Sequence, residues 1–228
     1  MLKIIITGAT GYVGEGVLLE CLKSDKVEKV LSVSRRPTGR KHEKLEELII
    51  PNFKELPEND ERFKGYNACF YCAGRSSNGL TEKEYRDITI DTPLHFSKAI
   101  GINKEMTFIY VSGSGSGKDS WFMWARVKAE AEEIFNKMKD NQFKDCYSIR
   151  PGIMKYTDEM KNVNTTQKIY SAFSWLANAI NLGNPIEDIG KCMISLCFKG
   201  YEKQILECKD IDICAKRSIK WLYNILIN

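Results

Sequence analysis

The sequence predicts an α/β fold: a doubly wound parallel sheet with helices on both faces and a small C-terminal lobe. Three observations predict it. An apolar run from Leu2 to Ile6 ends in Thr7 and passes at once into Gly8, Gly11 and Gly14, at three-residue spacing, and then into an amphipathic stretch. Short apolar runs then alternate with helical patterns as far as Ile149, an order that specifies parallel strands covered on both faces and joined by right-handed crossovers. After Gly152 the alternation stops and helical patterns dominate.

The elements follow in order. Val13, Val17, Leu18, Cys21 and Leu22 share one face of a first helix, from Gly11 to Lys23, which Ser24-Asp25 ends. Val30 to Val33 is a second strand, closed by Ser34-Arg35-Arg36-Pro37. Leu48 to Ile50 is a third, closed by Pro51, and Ala68 to Cys72 a fourth, running into Ala73-Gly74. Thr81 and Glu84 form a capping box, which opens a helix to about Ile100 with a bend near Pro93. Met106 to Val111 is the fifth strand, Ser112 to Ser120 a Gly/Ser loop, and Trp121 to Lys139 a long helix rich in Ala, Glu and Lys. Cys146 to Ile149 is the sixth strand, stopped by Pro151-Gly152. Beyond it lie helical patterns over Thr166–Leu182 and Ile186–Phe198, a short strand over Gln204–Cys208 and an amphipathic end from Lys216 to Ile227. One domain over 1–228 is expected, with 153–228 forming a mostly helical lobe over the substrate side.

The bulk numbers describe an ordinary soluble globular protein: 228 residues, 43% hydrophobic, 28% charged, net charge +4. Lys and Arg are scattered, so nucleic acid is not an expected partner. The one basic concentration is Arg35, Arg36, Arg40, Lys41 and Lys44. The start is too short for a secretory signal, and Ile169 to Leu182 is too broken by polar residues to span a membrane, so a cytoplasmic location is expected. The 8 Cys read as reduced, buried side chains. Cys69 and Cys72 form a Cys-x-x-Cys, but on a strand they point to opposite faces, so no metal is expected.

Strand, glycine turn and helix together make a pocket for a pyrophosphate. Gly8 permits the tight turn, Gly11 lets the backbone approach the phosphates, and Gly14 lets the helix pack on the strand. Thr10, Tyr12 and Val13 lie within the same turn, and the helix N-terminus offers N–H groups and a partial positive charge. About twenty residues past the last motif glycine, a carboxylate would bond the ribose hydroxyls of NAD. Here that stretch reads Ser34-Arg35-Arg36, without Asp or Glu. Arginine suits a 2′-phosphate, so NADP(H) is expected over NAD(H). The Rossmann-like arrangement then runs the cofactor across the carboxyl ends of the strands.

Thr7 to Gly14, Cys72-Ala73-Gly74, Ser112, Lys128 and Arg150-Pro151-Gly152 together resemble the short-chain dehydrogenase/reductase superfamily. The match is nearest to its atypical members, described as NAD-dependent epimerase/dehydratase-like, and reaches toward the Tat-interacting-protein type of reductase. The resemblance implies that Ser112 polarises the substrate and that Lys128 holds the nicotinamide ribose. It implies cofactor contacts from Asn52, Phe53, Cys72, Ala73, Gly74, Pro151 and Ile153. It also likens Asp188-Ile189-Gly190 to the late helix bordering the substrate lobe, and makes the Trp121–Lys139 helix a homodimer face.

One departure matters. In the superfamily a Tyr four residues before the Lys transfers the proton, and here that position is Trp124. An indole N–H is a donor only and does not exchange a proton near neutrality. Losing a general acid–base costs about 10²–10⁴ in rate. Tyr110, two residues before Ser112 on the same strand face, is the weak substitute. Gly113 to Lys118 is a decoy for a phosphate-binding loop, since the pattern needs Gly where Ser112 stands and Ser or Thr where Asp119 stands. Two main readings follow: an NADP-dependent oxidoreductase or epimerase-like enzyme on a small carbonyl, hydroxyl or sugar-type substrate, or a cofactor-binding regulatory protein without turnover. A third is docking on a membrane surface through the apolar residues near Trp221.

Overall fold

The computed structural model describes residues 1–172, 174 and 182–225, and their side chains except those of 170, 172 and 218–225. Seven parallel strands form the main sheet: β1 (Leu2–Thr7), β2 (Val27–Ser34), β3 (Leu45–Ile49), β4 (Ala68–Tyr71), β5 (Asn103–Val111), β6 (Phe143–Ile149) and, at the far edge, β9 (Ile205–Leu206). Their spatial order is β3-β2-β1-β4-β5-β6-β9. This is the expected doubly wound α/β sheet, and its order reverses between β1 and β4.

Period-two alternation divides each strand between two cores. Ile4, Ile6, Val30, Phe70, Ile109 and Ile149 face one side. There they pack with α1 (Tyr12–Lys23), α6 (Ile186–Lys199) and the described start of α7 (Cys208–Ile225). Ile5, Leu31, Val33, Cys69, Tyr71, Phe108, Tyr110 and Cys146 face the other. Their partners there include α3 (Thr92–Ile100) and α4 (Met123–Asn136), with Phe108 and Phe143 stacked at 5.1 Å. Cys69 and Cys72 accordingly pack into opposite cores.

Four strands begin earlier than the apolar pattern indicated, β2 among them, which starts at Val27 ahead of the interrupting Glu28-Lys29. β3 starts at Leu45, β5 at Asn103 and β6 at Phe143, because Glu46-Glu47, Lys104-Glu105 and Lys144-Asp145 interrupt the hydrophobic signal. β3 is an edge strand with Glu46 and Glu47 exposed, and charge on an edge discourages further pairing.

The helix expected over Thr81–Ile100 is three pieces: α2 (Glu82–Arg86) behind the Thr81/Glu84 capping box, a π turn over Asp87–Asp91, and α3. The π turn ends at Asp91, just before Pro93, where the bend was expected.

The segment 153–228 is divided. β7 (Ile153–Lys155) pairs with β8 (Gly183–Pro185) in a small separate sheet, with α5 (Thr165–Ala172) between them in sequence. That sheet had no readable signal, since three-residue strands are too short for periodicity. β9, by contrast, extends the main sheet beside β6, and α6 lies directly on α1. The Thr166–Leu182 pattern falls partly outside the described residues, as do the side chains of the apolar C-terminal stretch.

The α1–α6 contact is close because Gly190 sits in it. A Cβ on Gly190 would stand 2.6 Å from the Cβ of Glu20 and 3.5 Å from the Cα of Val17. Gly190→Ala is therefore expected to lower stability by about 1–3 kcal/mol, the usual cost of overpacking. Urea denaturation of the two proteins measures this.

Candidate functional site

The site lies where the strand order reverses, at the carboxyl ends of β1 and β4, the usual place for a ligand in an open α/β sheet. Thr7, fully buried, accepts a hydrogen bond from the N–H of Ala73 (3.1 Å) and ties the two strand ends together. Gly8 turns with φ +70°, and a Cβ there would lie 2.7 Å from the nitrogen of Ala73 and the carbonyl of Cys72. A Cβ on Gly14 would lie 2.1 Å from the Gly8 oxygen. Gly11 is different, since a Cβ on it would meet only that oxygen, at 3.3 Å. Folding thus demands glycine at 8 and 14, while the bare backbone at Gly11 leaves room for a ligand. No side chain caps α1, so the N–H groups of its first turn remain for an anion. These residues fit a nucleotide pyrophosphate.

The remaining candidates sort by what already holds them. Thr10 is half-buried in the turn and Val13 packs on the α1-side core. The Tyr12 hydroxyl donates to the Met154 carbonyl (2.9 Å), and burial, helped by Tyr156, pushes its pKa up to about 12. Ser34 is buried and its hydroxyl donates to the Arg36 carbonyl (2.6 Å), folding the turn that presents Arg35 and Arg36. Both arginines are exposed and, among the described residues, neither makes an ion pair.

The rest of the basic cluster is already engaged in part. Arg40 binds Glu15 (2.5 Å) and Lys44 donates to the Ser24 carbonyl (2.7 Å) at the end of α1. Asn52 uses its side chain locally, accepting from Lys54 N (3.1 Å), while Phe53 is buried against Phe96. Gly74 has nothing within 4 Å of its Cβ position. Pro151 is buried and receives the Ser114 N–H (3.0 Å), and the Ile153 N–H is spent on the Leu182 carbonyl (3.0 Å).

At the end of β5, Ser112 is buried, with its hydroxyl 3.2 Å from that of Ser116. The Gly/Ser loop bonds its own N–H groups inward: Ser116 N to Gly113 O (3.2 Å) and Gly117 N to Ala125 O (3.2 Å). Lys118 pairs with Glu133. A loop so satisfied has little left for a phosphate. Trp124 lies over it, within 3.6 Å of where a Gly115 Cβ would be. One helical turn on, the Lys128 ammonium donates to the Val111 carbonyl (3.0 Å) and the Tyr110 hydroxyl (3.2 Å). Ser112, Lys128 and Tyr110 are thus gathered at the end of β5, beside β4 in the sheet, with Trp124 over the loop that follows.

Residues 4–114 match the model of the NAD dependent epimerase/dehydratase family. Protein FMP52, mitochondrial, of Candida glabrata is 31% identical over 152 residues, 66% of this chain and 63% of that protein. Protein HTATIP2 of Rattus norvegicus is 25% identical over 154 residues, 67% of this chain and 62% of that one. Gre2 of Candida albicans, solved in complex with NADPH, superposes with a TM-score of 0.66 over 91% of this chain and 78% of its own, at 15% identity, a likeness of fold. By these matches the chain is similar to the NAD dependent epimerase/dehydratase family and to short-chain dehydrogenase/reductase folds. The glycine turn has room for a pyridine nucleotide of the kind such proteins carry. The chain spans between 50% and 63% of the length of the first curated relatives it matches. The cytoplasmic expectation is corrected by this comparison, because the FMP52 relatives are named as mitochondrial proteins. No helix among the described residues is long and apolar enough to cross a membrane.

Sequence reasoning missed Glu15 beside the glycine turn. In the first turn of α1 it reads as an ordinary acidic residue, yet it is only 1% exposed. It accepts from Arg40, from Lys161 N (2.8 Å) and from Asn162 N (2.7 Å). It thereby ties the loop after β2 and the loop after β7 to the start of α1. Burial pushes the carboxyl upward, but those three donors and the Arg40 charge outweigh it and hold its pKa below the ordinary value. The linkage sign follows: a depressed folded-state pKa gives stability present above the unfolded value of about 4.3 and lost as pH falls below it. Urea midpoints between pH 6 and pH 3 are expected to fall less steeply in Glu15→Gln than in the parent. Parallel slopes would count against the assignment.

Proposed function

We propose that the protein is an NADP(H)-dependent oxidoreductase acting on a small carbonyl or hydroxyl compound. The observation that carries this reading is the division of labour in the basic cluster. Arg40 and Lys44 are committed to the protein, whereas Arg35 and Arg36 stand exposed at the end of β2 with no acidic residue in that turn. Two guanidinium groups there suit a 2′-phosphate by charge-assisted bonds. Gly8, Gly11 and Gly14 admit the pyrophosphate, and Ser112 and Lys128 stand together at the end of β5, where the substrate oxygen would be received. When bound, the reduced nicotinamide supplies the hydride. The relatives named FMP52 favour a mitochondrial setting for this activity.

A second reading is favoured by Trp124, which cannot transfer a proton: a nucleotide-binding regulatory protein without turnover. Titration with NADPH and NADH, followed by a reduction screen over aldehydes, ketones and nucleotide sugars, separates the two. We expect NADPH to bind at least about tenfold more tightly than NADH. Joint Arg35→Ala and Arg36→Ala replacement should erase that margin, since hydrogen bonds to charged groups contribute about 1.5–3 kcal/mol. Equal affinities in the parent would remove the NADP assignment. Binding without turnover, in both the parent and Trp124→Tyr, would favour the second reading.

A further inference from the structure

The site has lost its proton-transferring tyrosine, and the surrounding hydrogen bonds narrow the choice of what replaces it. Trp124 offers an indole N–H, which donates a hydrogen bond but releases no proton. Tyr110 is buried at 2% exposure, and its hydroxyl donates to the Thr89 carbonyl (3.3 Å) while accepting from Lys128 (3.2 Å). The Thr89 carbonyl is available because the residue four positions on is Pro93, which has no N–H to give it. Ser112 is similarly engaged. The Ser116 hydroxyl donates to the Gly113 carbonyl (2.8 Å), so in the Ser112–Ser116 contact (3.2 Å) it is Ser112 that donates. In this arrangement Ser112 presents lone pairs to a ligand and no proton.

Lys128 is the exception. An ammonium has three N–H bonds. One goes to the Val111 carbonyl and one to the Tyr110 hydroxyl, which leaves a third. The Val111 carbonyl belongs to the peptide bond that leads into Ser112, so Nζ is held beside the serine that receives the substrate.

We propose that Lys128 is the proton-transferring group of this site. Its ammonium gives one proton to the substrate's carbonyl oxygen, whose carbon accepts a hydride from reduced nicotinamide. The carbonyl π pair moves to the oxygen and bonds that proton, and the neutral amine left on Lys128 takes a proton back from solvent. The proposal rests on the oxidoreductase reading above.

The surroundings support it. Desolvation lowers the Lys128 pKa to about 8, partly opposed by the charge of Glu132 on the same helix. Glu132 is itself paired with Arg150 from the end of β6 (2.5 Å). The other groups at the ammonium are neutral: Tyr110 from β5 and, behind it, Tyr85 from α2, both with pKa values raised by burial. A general acid works best with a pKa near the working pH, and here the lysine meets that condition while Tyr110 does not.

Four measurements on the full chain test this. Nitrogen-15 NMR of the lysine ammonium groups, assigned with Lys128→Arg, should show Lys128 titrating near pH 8 without any nucleotide. Carbonyl reduction should be flat below about pH 8 and fall tenfold per unit above it, because the protonated form is the donor. Lys128→Arg should keep NADPH affinity within about tenfold, since the charge remains, yet lose at least about a hundredfold in reduction rate, as expected for a missing general acid. Tyr110→Phe removes a bond that favours the ammonium and should move the alkaline limb to lower pH.

Reduction by Lys128→Arg at near the parent rate, an unmoved limb in Tyr110→Phe, or Lys128 titrating above pH 10 would each overturn the proposal. A parent that binds NADPH and reduces nothing, or that has no affinity for either nucleotide, would instead overturn the oxidoreductase reading on which the proposal stands.

Discussion

The approach of α1 to the end of β1 sets the geometry of everything else. With a Gly14 Cβ position 2.1 Å from the Gly8 oxygen, the helix can sit so close only because neither residue carries a side chain. That closeness brings the first-turn N–H groups to the crevice between β1 and β4. It also fixes the inner face of α1, where Gly190 lets α6 settle on Glu20 and Val17. The late part of the chain, which carries β9 to the far edge of the sheet, is in this way keyed to the same helix that offers its N-terminus to the ligand.

The second half of the site depends on a longer chain of consequences. Pro93 has no N–H for the helical bond to Thr89, and that carbonyl accepts the Tyr110 hydroxyl instead. Tyr110 then holds Lys128, whose other bond reaches the backbone just before Ser112. A local backbone defect on one helix thus becomes the anchor of a charged side chain on another. These hydrogen bonds, of 3.0–3.3 Å, are what station Lys128 there despite the cost of desolvating an ammonium.

The strong signals in the sequence were the ones with a single physical cause. Glycine is required at 8 by the backbone of Cys72 and Ala73 and at 14 by the Gly8 carbonyl, and the alternating runs of apolar residues are required by the two cores. Both could be read directly. The Arg35–Lys44 cluster could not, because identical side chains there answer to different partners: Arg40 to a carboxylate twenty-five positions back, Lys44 to the end of α1, Arg35 and Arg36 to neither. Charge pattern gives the sum of such roles and not their division. The β7–β8 pair and the buried state of Glu15 were hidden for the related reason that each depends on a distant segment folding back.

Glu15 shows how far such a partner can alter a residue's meaning. A carboxylate beside a phosphate-binding helix end should repel the anion. Its burial under Arg40, with two backbone N–H groups completing its shell, neutralises that field locally. Breaking a buried pair of this kind is costly because one charge is left without compensation. The pair therefore acts as a fastening more than as a source of net attraction: the loop after β2, the loop after β7 and α1 can all be satisfied only in one relative position. The exposed guanidinium groups of Arg35 and Arg36 sit on the first of those loops. Their position just past the end of β2 is in this sense set by a buried carboxylate on α1.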